Sequence, residues 1–160
     1  MANDTSEIRS TLNDLIETCK DGEQGFRTAA EKLRDPELRT LFHSYSSQRG
    51  RFATELQSEV VNIGGEPATS GSATGALHRG WLGLKSALTG NDDHAILVEA
   101  ERGEDAAVQN YRDALSKDLP GGIHAIIERQ YREIQQVHNT VRSLRDSART
   151  TTAARTTGVV

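Results

Sequence analysis

Glu23, Glu101, Glu104 and His138 are the residues of this 160-residue chain whose types and spacing come nearest to carboxylate–imidazole chemistry. Inside a bundle of helices, two divalent metal ions are held by one glutamate from each of two helices and a Glu-x-x-His pair from each of the other two. Carboxylates bridge and neutralise the ions, and the imidazoles complete the coordination. No glutamate here has a histidine three residues later: Tyr131 follows Glu128, and Arg51 follows Gln48. The carboxylates therefore predict hydrogen bonds or ion pairs at the core edge, with Arg49, Arg51 or a tyrosine hydroxyl as partners, because a buried unpaired carboxylate is costly. If a cation is held, iron or another divalent metal, the predicted ligands are Glu23, Glu101, Glu104 and His138, a reduced set nearer one ion than two.

Other reactive side chains fit ordinary roles. Cys19, the single cysteine, excludes an intrachain disulfide and a zinc site built on several cysteines of one chain. It falls on an apolar seam and reads as a small buried residue. His124 and Glu128 share a helix face as a solvated pair. Tyr45, Tyr111 and Tyr131 lie on or beside apolar stripes. His43, His78 and His94 have no companion ligands. Gly22, Gly25, Gly50 and Gly103 weaken helices, and their expected return is close helix approach.

Helices must position these groups. Asp4 and Glu7 have the form of a capping box, and Ile8, Leu12, Leu15, Cys19, Gly22, Phe26, Ala29 and Leu33 then follow at alternating spacings of four and three. Asp35-Pro36 ends this first helix and starts the second, which carries Leu38 to Ile63 and stops at Gly64-Gly65. A loop at 66–72 leads to a short amphipathic helix with Leu77, Trp81, Leu84 and Leu88. Asn91, Asp92 or Asp93 caps a third long helix, where Glu104 interrupts the stripe Leu97, Ala100, Ala107, Tyr111 and Leu115. Leu119-Pro120-Gly121-Gly122 turns into the fourth, with Ile123, Ile127, Gln130, Ile134, Val137, Val141 and Leu144.

The spacing thus predicts an all-α, antiparallel four-helix bundle with a short extra helix in the crossover between helices 2 and 3. Leu15, Phe26, Phe52, Tyr111, Ile127, Ile134 and Val141 should be buried. The bundle occupies 1–147, and residues 148–160 form a polar Ser/Thr/Arg-rich tail. Two hairpins joined by a long crossover have the connection pattern of ferritin-like bundles. Counting through the turns sets Glu23 level with Ser47 and Gln48, and Glu101 level with His138.

The stretches Leu12–Glu23, Asp35–Leu38, Gly64–Pro67, Gly75–Trp81 and Glu101–Ala106 resemble landmarks of one bacterial family. It is a family of four-helix-bundle proteins of unknown function, placed in the ferritin-like superfamily beside rubrerythrins and bacterioferritins. The resemblance covers residues 6–147 and implies the ferritin-like fold. It implies no activity.

Composition narrows the partners. A net charge of −4 with interspersed signs offers no footprint for nucleic acid. No apolar run is long enough to span a bilayer, and Met1–Thr5 lacks the start of a secretory signal, so the expected location is the cytoplasm. Without the Glu-x-x-His motif, the expected role is a non-catalytic module that forms a homo-oligomer or binds a protein partner, with no cofactor. The alternative is a ferritin-like oxidoreductase or iron-handling protein of a stress response, with the reduced ligand set.

Overall fold

The computed structural model describes residues 4–71, 78–81, 83–90 and 92–157, with 78, 79 and 149–157 described by backbone alone. The described residues are mostly helical, with no strand among them. Helix α1 spans Thr5–Lys32, α2 Pro36–Asn62, α3 Leu84–Thr89, α4 Asp93–Leu115 and α5 Gly121–Thr157, and a 3-10 turn covers His78–Trp81.

Local chemistry sets the ends. Asp4 caps α1 by accepting from the Ser6 N–H at 3.0 Å, and Asp35 caps α2 by accepting from the Glu37 N–H at 2.8 Å, with Pro36 in the first turn. Helix α2 closes in a Schellman motif: Gly65 N–H donates to the Val60 carbonyl and Gly64 N–H to the Val61 carbonyl, both at 2.9 Å. Gly64 has φ +81°, the left-handed conformation a side chain would strain. Asp92 caps α4 through the His94 N–H. The next residue, Asp93, accepts from the N–H groups of Arg34 (2.8 Å) and Asp35 (3.1 Å) and so ties the α1–α2 turn to the start of α4.

Helix α1 packs along α2, α4 packs along α5, and α1 against α4 joins the two pairs. All seven core residues expected from the spacing are buried, from Phe26 and Ile134 at 0% exposure to Phe52 at 5%. The core has two apolar halves. One gathers Leu12, Leu15, Leu56, Val60, Tyr111, Ile127 and Ile134; the other gathers Phe26, Phe42, Trp81, Leu97, Val137 and Val141. On α1, α2 and α4 the halves part near Gly22, Arg49 and Glu104 respectively.

The crossover helix of the sequence is two pieces, the 3-10 turn and α3, with Leu77 and Asn91 outside the described residues. Trp81 is 8% exposed and stacks edge-on against Phe26, their ring centres 5.1 Å apart. A Cβ built on Gly25 would come within 2.4 Å of the indole, and one on Gly103 within 2.3 Å. These two glycines therefore make room for a ring inserted between α1 and α4, where the sequence predicted helix-to-helix approach. Helix α5 passes residue 147 unbroken, because no proline or glycine interrupts the run before Gly158. Ala148 still touches the second core half.

Candidate functional site

Where the apolar halves part, Arg49 of α2 reaches Glu104 of α4. Its two terminal nitrogens donate to the two carboxylate oxygens at 2.6 Å each, and the side chains are 1% and 0% exposed. The arginine stem passes Gly22 closely, and a Cβ there would touch it at 3.4 Å, an ordinary contact distance. The guanidinium carbon sits 5.3 Å from the centre of the Phe26 ring, and Nε donates to Gln48 at 3.3 Å. Burial works against the Arg49 charge, but the Glu104 carboxylate outweighs it and holds the guanidinium above its ordinary pKa. The guanidinium thus keeps its charge, and the paired geometry offsets the cost of burying the two side chains.

A chain of hydrogen bonds begins two helical turns further along α4. Tyr111 hydroxyl donates to Gln130 Oε1 at 2.7 Å, and Gln130 Nε2 donates to Glu55 at 2.8 Å and to the Phe52 carbonyl at 3.4 Å. Arg129 grips Glu55 at the surface. The amide orientation fixes every direction, because Gln130 Oε1 can only accept. The Tyr111 proton is therefore committed to Gln130, and the contact of 3.1 Å with Cys19 is completed by the thiol as donor.

Burial pushes the Cys19 thiol up to about 11 and raises the Tyr111 phenol well above 10. Neither is a nucleophile or base near neutrality. The folded Cys19 pKa lies above the ordinary 9.0, so its contribution to stability is complete below pH 9 and disappears as pH rises towards 11. The urea midpoint of the wild type should fall across that interval more steeply than that of Cys19→Ala. Equal slopes would show that the thiol ionises without resistance.

The four carboxylate and imidazole candidates are divided by the fold. Glu104 has both oxygens on Arg49. Glu23 lies beside Gly50 on the α1–α2 face, paired with Lys20 at 3.3 Å and Arg27 at 3.9 Å, and its carbonyl accepts from Ser46. Glu101 and His138 do meet, at the α4–α5 seam. Asp105 joins them, and one ligand atom from each of the three lies within 4.8 Å of the others. Glu101 is also paired with Arg145 and, at 3.7 Å, with Arg142. Sequence reasoning passed over Asp105, although its place four residues after Glu101 put it on the same face. It placed Gln130 in the seam without reading its role. A lone amide between Ile127 and Ile134 was the available signal.

Elsewhere, His124 and Glu128 form an exposed pair at 3.8 Å, and Tyr131 hydroxyl accepts from Arg112 and Gln135. No described helix is long and apolar enough to cross a membrane. The sequence matches the family described as a domain of unknown function, DUF2383, over residues 7–117, a span that takes in α2, α3, α4 and nearly all of α1. No curated protein matches the chain.

Proposed function

We propose that this chain, which belongs to the DUF2383 family, is a non-catalytic helical module that acts through its surface, by self-association or by binding a protein partner. The observation that carries this reading is the Arg49–Glu104 pair. A carboxylate that bridges two cations must leave an oxygen for each, and both oxygens of Glu104 are taken by one guanidinium. The arginine supplies the positive charge at the centre of the bundle, and the nearby thiol and phenol keep their protons. Residues so arranged do not fit a di-metal centre.

The arrangement itself reads as ferritin-like. Helices α2 and α4 both run from the Phe42–Leu97 half of the core to the Leu56–Tyr111 half, whereas α1 and α5 run the other way. Parallel second and third long helices require a crossover that travels the length of the bundle, as in that superfamily. Val61, 58% exposed, is the one large hydrophobic residue open to solvent among those described, which favours polar, salt-sensitive association.

Two measurements test this. Iron(II) added to the purified protein under air should oxidise no faster than in buffer. Faster oxidation that disappears in Glu104→Gln would overturn the metal-free reading of the core. Light scattering at low salt should give a mass above 17.5 kDa that declines as salt is added. A mass of 17.5 kDa at every ionic strength would remove self-association and leave the partner-binding form.

A further inference from the structure

We propose that Glu101, Asp105 and His138 form a binding site for one divalent transition-metal ion at the α4–α5 seam. The site shares no residue with the Arg49–Glu104 pair, so it stands or falls separately from the reading of the core. Glu101 and Asp105 are one turn apart on α4 and project on the same side; His138 comes from α5. Ligand atoms bound to one ion at about 2.0–2.2 Å sit roughly 3–3.6 Å from one another. The observed group, within 4.8 Å, must therefore contract by about an ångström or a little more. Asp105 can supply that movement, since its side chain is 63% exposed, while Glu101 and His138 are fixed at 10% and 15%.

The existing contacts define what the ion must displace. His138 Nε2 lies 2.5 Å from Asp105 Oδ1, so the ion enters by parting this pair and replacing the shared proton. Arg145 and Arg142 orient the Glu101 carboxylate but also compete for it. A polar cavity of about 400 Å³, lined by Asp105, Gln109, Arg112, Gln135, His138 and Arg142, adjoins the triad and admits the water that completes the coordination. One imidazole with two carboxylates suits zinc or manganese better than calcium or magnesium, which prefer all-oxygen shells.

Zinc titration of the full-length protein by calorimetry tests the site. Wild type should take up one ion per chain. His138→Ala and Asp105→Asn should each weaken binding by about tenfold or more. Arg145→Gln should tighten it, because it relieves the competition for Glu101. His124→Ala, on the exposed pair with Glu128, should change nothing. Asp105 is exposed, so its variant keeps the fold, and an unaltered thermal midpoint verifies this. Absence of saturable uptake, or uptake that survives both His138→Ala and Asp105→Asn, would place any zinc on scattered surface carboxylates and overturn the proposal.

Discussion

Replacing Glu104 with glutamine should lower the unfolding free energy by about 3–5 kcal/mol, the usual consequence of stranding one partner of a buried ion pair. The substitution keeps the shape of the side chain and removes only its charge. Arg49 then remains 1% exposed with no counter-ion, and Phe26 and Gln48 cannot replace one. Arg49→Met should cost a similar amount by leaving the Glu104 carboxylate, 0% exposed, without its guanidinium. The double variant Arg49→Met with Glu104→Leu removes both charges and fills the space with apolar atoms. It should return to wild-type stability or exceed it by about 1–4 kcal/mol. Urea titration of the four proteins reads these differences. A Glu104→Gln midpoint equal to wild type would mean that water reaches the arginine and that the pair is not enclosed.

Gly25→Ala should expel the indole from its slot. The new Cβ would lie 2.4–2.6 Å from three atoms of the Trp81 ring, and an aromatic ring wedged between two helices has no bend with which to yield. The expected loss is about 3 kcal/mol, from overpacking and from the aromatic contacts the ring abandons. Trp81 is the only tryptophan, so its emission should shift to the red as the ring meets water. Gly103→Ala should do the same from the α4 side, its Cβ at 2.3 Å. Both changes together should cost less than their sum, because the ring can leave only once. Unchanged emission in either single variant would show that the wedge has room to shift.

These two sites differ in how far the sequence announces them. Glu104 breaks an apolar stripe, and that break alone marks it as a buried polar group in need of a partner. Its partner is less visible: Arg49 and Arg51 are both arginines on the second helix, and only packing decides which faces inward. Gly25 and Gly103 are legible as helix-weakening residues kept for a reason. The reason is a ring from a different segment, and no local pattern can point to it. The same holds at the α4–α5 seam. Counting through the Pro120 turn sets Glu101 level with His138, because a short turn fixes register, while the Arg145 contact depends on how α5 rotates about its own axis.

By itself the sequence determined the helices, their caps and the buried faces. Asp4, Asp35 and Asp92 act on N–H groups two residues away, Gly64 acts on its own φ, and the four-and-three spacing acts through one helical turn. All of these are short-range effects. Tertiary structure decided which charges neutralise one another and which segment fills each gap. Arg49 and Glu104 are 55 residues apart and Gly25 and Trp81 are 56 apart, and their meeting depends on how two hairpins and a crossover settle together. A buried charge finds its partner through space, and the same composition with the hairpins shifted by one turn would set the arginine against apolar side chains.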